Sequence, residues 1–131
     1  MERSVELVIQ NTFKQSNAGE IHFGQVVHQL SEAGVESYHV DYRACRATYY
    51  MPDGEALTLG LDAPVVEIAQ VFSVAAIKNA IVGAQQGNVM YPEFKRLSQL
   101  GGCVGYTVWL TGRHVTYFGR DGDTHIERFP D

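Results

Sequence analysis

A spacing of 68 residues recurs along the chain and constrains its fold more than any single motif. Gly19 and Gly87, Gly34 and Gly102, Tyr38 and Tyr106, and Val40 and Val108 all stand that far apart. So do Thr48-Tyr49 and Thr116-Tyr117, and Asp53-Gly54 and Asp121-Gly122, while Ile9 and Asn11 fall on Ile77 and Asn79. The matches sit at turns, helix ends and strand positions, so they point to a structural unit used twice. Repeat one then covers about residues 1–63 and repeat two about 64–131, with Asp62-Ala63-Pro64 as the link.

Each unit reads as two helices followed by three strands. The first helices are expected over Ser4–Asn17 and Ser73–Gln85, with Ser73 as an N-cap and Gly19 and Gly87 at the C-terminal ends. The second are expected over His22–Ala33 and Tyr91–Leu100, where Pro92 suits the first turn and Gly34 and Gly102 close the elements. Val26, Leu30 and Ala33, like Phe94, Leu97 and Leu100, recur at helical spacing and give each helix an apolar face. Tyr38, Val40 and Tyr42 alternate with polar residues, as do Tyr106, Val108 and Leu110, which is the period of a half-buried strand. Asp53-Gly54 and Asp121-Gly122 predict two-residue type I′ hairpin turns. The fold class is therefore α+β: an internally duplicated α-α-β-β-β unit forming one domain, with helices packed on one face of an antiparallel sheet.

Charge and length narrow the function classes. At 131 residues the chain is long enough to bury a core, and 10 Lys+Arg against 15 Asp+Glu leave a formal charge of −5. No run of cations is present, which argues against nucleic acid as a partner. The polar start, Met1-Glu2-Arg3-Ser4, leads into no apolar signal core, and no stretch is long and apolar enough for a membrane span. A cytoplasmic location with no membrane partner is the expectation. Cys45 and Cys103 are far apart and outside any CxxC pattern, so they read as buried free thiols.

With two-residue turns, the outer face of the sheet acquires unexpected company. In the second unit Trp109, Thr116 and Glu127 form one row and Thr107, Phe118 and His125 the next, with His114 near the turn. In the first unit Asp41 lies opposite Thr48, His39 opposite Tyr50, and Arg43 opposite Arg46. Large aromatics (Tyr50, Trp109, Phe118) and opposed arginines on a solvent face point to a covering partner or a ligand. The same register puts Leu57 and Leu59 outside and Thr58 inside, so either a bulge near Glu55 shifts the register by one residue or that face is covered. The ligand or interface candidates are accordingly His39, Asp41, Arg43, Arg46, Tyr50, Trp109, His114, Phe118, His125 and Glu127.

Chemical motifs are few. Gly19 and Gly87 at the sixth position of a calcium loop would leave Lys14, Ser16 and Ala18, or Val82, Ala84 and Gln86, as ligands, which a hard cation does not accept. Gly101-Gly102-Cys103-Val104-Gly105 follows a helix and enters a strand, the reverse of a phosphate cradle. His39 with Asp41, and His125 with Glu127, are carboxylate–imidazole pairs two residues apart, but no metal-ligand spacing accompanies them. No cofactor and no metal are expected, and no catalytic residue is assigned.

The passages Ala33-Gly34-Val35-Glu36-Ser37-Tyr38-His39-Val40-Asp41 and Thr48-Tyr49-Tyr50-Met51-Pro52-Asp53-Gly54-Glu55 carry a resemblance. With Gly102-Cys103-Val104-Gly105-Tyr106, Thr111-Gly112-Arg113 and Tyr117-Phe118-Gly119, they make the chain similar to the bacterial YbcV-like family of unknown function. Members of that family are sometimes labelled phage envelope proteins. The resemblance covers essentially the whole chain and implies a small cytosolic or prophage-associated α+β protein, with no activity to carry over. The expected function is a non-enzymatic interaction module that self-associates, as a homodimer, through its aromatic sheet face. The alternatives are binding of a small anionic or planar ligand, or an enzyme, at the His/Asp/Arg cluster, and a phage-associated structural role.

Overall fold

The computed structural model describes residues 1–130 and contains, among them, four helices and six strands. In chain order these are α1 (Arg3–Asn17), α2 (Phe23–Glu32), β1 (Ser37–Asp41), β2 (Arg46–Tyr50), β3 (Ala56–Gly60), α3 (Val74–Gln85), α4 (Tyr91–Leu100), β4 (Cys103–Trp109), β5 (His114–Gly119) and β6 (Thr124–Arg128). The order of elements is thus the same in both halves. The Ser73 hydroxyl accepts from the Ala76 N–H and caps α3, and Pro92 occupies the first turn of α4. The α2 start is fastened by the His22 N–H, which donates to Gln25 Oε1 at 2.8 Å.

The six strands form one antiparallel sheet in the order β3-β2-β1-β4-β5-β6, so the two meanders join through their first strands. The helices cover the face bearing Tyr38, Val40, Ala47, Tyr49, Tyr106 and Val108. Ile9 from α1, Leu30 from α2 and Ile77 from α3 are fully buried against this layer. Each such side chain contributes roughly 1.5–3 kcal/mol through removal from water. No helix among the described residues is long and apolar enough to cross a membrane.

The turns differ from the type I′ expectation, and the difference decides which side chains face the core. In the β2–β3 connection Gly54 N–H donates to Met51 O and Met51 N–H to Glu55 O, leaving Pro52-Asp53-Gly54 as the loop. Gly54 has φ +92° while Asp53 does not enter the left-handed region, the signature of a three-residue loop closed by a bulge. Gly119, Gly122 (φ +84°) and Asp123 repeat the arrangement between β5 and β6. One extra loop residue shifts each third strand by one position, which exchanges its two faces. Tyr49 therefore pairs with Leu57 and Ala47 with Leu59, so both leucines face the helices and Thr58 faces outward. The shift that the leucines call for is the one found.

The first hairpin of each half is also longer than two residues. Tyr42-Arg43-Ala44-Cys45 and Leu110-Thr111-Gly112-Arg113 connect the strands. The left-handed residues are Cys45 (φ 57°) and Arg113 (φ 59°). The register moves by two positions, which preserves faces but changes partners: Asp41 pairs with Arg46, His39 with Thr48 and Val108 with Val115.

Candidate functional site

Two rows of side chains cross the helix-covered face of the sheet. One runs Leu57, Tyr49, Tyr38, Val108, Val115, Glu127; the other runs Leu59, Ala47, Val40, Tyr106, Tyr117, His125. Helices α1–α4 stand over these rows without filling the layer. A cavity of about 420 Å3 remains between Tyr38, Tyr49, Tyr106 and Tyr117 on the sheet and Thr12, Val26, Ile81 and Phe94 on the helices. That volume lies within the range of small-molecule sites, roughly 300–1,000 Å3. Its rim reaches the surface at His22, Phe23, Gln86 and Pro130.

Tyrosine dominates the walls. Tyr38 and Tyr49 are direct cross-strand partners, stacked with centroids 5.0 Å apart, and Tyr106 and Tyr117 are partners at 5.7 Å. Tyr91 at the start of α4 adds a fifth ring, and Tyr106 Oη donates to Tyr91 Oη at 2.6 Å. The hydroxyls of Tyr38, Tyr49 and Tyr117 have no hydrogen-bond partner among the described residues. Tyr42, by contrast, is sealed away from this space, its hydroxyl sharing a 2.9 Å bond with Ser98 Oγ. Desolvation pushes the Tyr38, Tyr49, Tyr91, Tyr106 and Tyr117 phenols above their ordinary range, so all five are neutral groups that can donate a proton in a hydrogen bond.

Two of the sequence candidates belong to this layer. The register shift turns His125 and Glu127 from the outer face to the inner one, opposite Tyr117 and Val115. His125 Nε2 donates to Glu127 Oε1 at 3.1 Å and its ring stacks on Tyr117 at 6.4 Å. Glu127 lines the cavity. The tyrosine walls themselves escape a reading of the sequence as site residues, because alternating Tyr and Val read as ordinary core; the available signal is the choice of a phenol over Leu or Val at four inner positions.

The remaining candidates lie on the opposite, helix-free face and are more dispersed than expected. Tyr50, Ser37, Trp109 and His114 share one row, with Tyr50 and Trp109 each 40% exposed. The central row is Thr58, Thr48, His39, Thr107, Thr116 and Ile126, where His39 Nδ1 and Thr107 Oγ1 share a 2.8 Å bond. Trp109 Nε1 donates to Thr116 Oγ1 at 3.1 Å, and Phe118 meets the edge of His39 at 6.1 Å. The opposed arginines are not formed, because the longer turn takes Arg43 out of the strand and leaves Arg46 opposite Asp41. The Asp41 carboxylate instead accepts from the Arg43 and Ala44 N–H groups and fixes the turn.

Neither thiol is paired. Cys103 is buried and its thiol is pushed up to about 11 by desolvation, whereas Cys45 is half-buried at its turn rather than in the core. Among the described residues no three His, Cys, Asp or Glu side chains converge as a metal site would require. A scan against protein-family models returns no match, and a search of the curated proteins returns none either.

Proposed function

We propose that this protein binds a small, planar, largely apolar molecule in the cavity between its helices and its sheet. The observation that carries this reading is the set of unpartnered Tyr38, Tyr49 and Tyr117 hydroxyls around about 420 Å3 of mostly apolar and aromatic lining. These hydroxyls open onto the cavity rather than into packed core, and a ligand with one or two polar atoms would hydrogen-bond them while burying its rings. Binding without chemistry is the reading, since the phenols are held neutral and, among the described residues, no wall serine or threonine is hydrogen-bonded to His22 or Glu127. Self-association through the outer face has weaker support. Tyr50 and Trp109 are separated by Ser37 in their row, and Ile126 lies in the neighbouring central row beside Thr116.

The test is a thermal-shift screen of planar aromatic compounds against the wild type and an Ala84→Phe variant, in which a ring from α3 fills the cavity. A ligand at a hundred times its Kd stabilises by about 2.7 kcal/mol and raises Tm by several degrees. The wild type is expected to respond and the filled variant is not. Equal shifts in both proteins, or none in either, would remove the cavity as the site.

A further inference from the structure

We infer that the ligand of this cavity carries a cationic, alkylated nitrogen, held by Glu127 and by the faces of the surrounding tyrosines. The inference rests on the cavity being a binding site and adds the charge of what enters it. Three observations combine. Glu127 is the one carboxylate on the cavity wall among the described residues, and its place on the inner row next to Val115 follows from the β5–β6 register. Arg128, its neighbour in sequence, also borders the cavity, but it belongs to the outer row opposite His114, so strand alternation turns its side chain toward the other face. No lysine lines the cavity, and the one direct partner of the Glu127 carboxylate is His125.

The walls suit the same charge. Tyr38, Tyr49, Tyr91, Phe94, Tyr106 and Tyr117 supply ring surface on the sheet and helix sides. Aromatic faces carry a negative quadrupole, and a cage of them holds an alkylated ammonium, which gives up hydration more readily than a bare one. Tyr91 already shows this preference within the protein, with Lys95 Nζ 5.1 Å from its ring centroid. An anionic ligand would meet the Glu127 carboxylate and the ring faces, and Arg128, the cationic residue that borders the cavity, belongs to the outer row. The anionic alternative for the His/Asp/Arg cluster loses its paired cations, since Arg43 lies in the β1–β2 turn and Arg46 stands opposite Asp41.

Three ligands built on one phenyl ring test the inference: phenyltrimethylammonium, its uncharged carbon isostere tert-butylbenzene, and the smaller anion benzoate. Binding is followed by NMR titration of isotope-labelled wild type and Glu127→Gln, a substitution that retains the acceptor for His125 and removes the charge. The expected result is that phenyltrimethylammonium binds at least tenfold more tightly than tert-butylbenzene, that benzoate binds weakest, and that Glu127→Gln abolishes most of the preference without changing tert-butylbenzene binding. If tert-butylbenzene or benzoate binds as tightly as the cation, or if Glu127→Gln keeps the full preference, this inference fails while the cavity remains a site. If none of the three perturbs cavity resonances, the cavity reading fails and this inference falls with it.

Discussion

Two tyrosines of similar burial have opposite duties here. Tyr42 is fully buried and its hydroxyl bonds Ser98 Oγ, which in turn donates to the Lys95 carbonyl. Tyr38 is also buried, but its hydroxyl has no such partner. Tyr42→Phe is therefore expected to lower stability by about 1 kcal/mol, the net value of one hydrogen bond. Tyr38→Phe should change it by less than about 0.5 kcal/mol, because nothing is lost but an uncompensated oxygen. Urea denaturation of both variants checks the contrast; a Tyr38→Phe cost equal to that of Tyr42→Phe would mean that the Tyr38 hydroxyl is satisfied within the fold. Hydroxyls at such positions are retained for something other than stability.

At the scale of elements, loop length carries more information than strand composition. The Pro52-Asp53-Gly54 loop fixes which side of β3 meets the helices, so deleting Pro52 should restore a two-residue turn and drive Leu57 and Leu59 outward. Both leucines are half-buried, and the deletion is expected to cost about 2–4 kcal/mol in chemical denaturation. A loss below about 0.5 kcal/mol would show that the register is held by something other than the loop. The same point explains what could be read in advance. Gly19, Gly34, Gly87 and Gly102 mark the helix ends and Pro92 marks a helix start, so helices, strands and their order are legible from the sequence. Asp-Gly is compatible with both a two-residue and a three-residue loop, and that single residue decides whether His125 and Glu127 face solvent or the cavity. The candidate site was hidden for a related reason: periodicity shows that Tyr38, Tyr49, Tyr106 and Tyr117 point inward, but not that the helices stand off from them.

For the molecule as a whole, the buried phenols couple folding to pH. Burial raises the Tyr38, Tyr42, Tyr49, Tyr106 and Tyr117 ionisations above the ordinary value of 10.0, so in strong alkali the unfolded chain releases protons that the folded chain retains. Their contribution to stability is constant below about pH 10 and declines as pH rises beyond it. Tyrosinate absorbance from these residues should appear in one cooperative step, together with the loss of helical circular dichroism. A gradual rise in absorbance with the helices intact would mean that the interior admits hydroxide without unfolding.

The seam between β1 and β4 has a consequence for how the chain assembles. Every other strand pair in the sheet is a hairpin of neighbours, whereas His39 and Thr107 meet across 68 residues of sequence. Closing so long a loop costs more than closing any one of the hairpins, and contacts of high sequence separation form slowly. Until the seam closes, each half holds an incomplete sheet with an open edge, and on the second half that edge is β4, whose residues from Cys103 to Val108 are all buried in the finished fold. An edge of that kind can be satisfied equally well by β1 of another chain. The architecture that gives the sheet its symmetric strand order also makes exchange of halves between molecules its characteristic folding error.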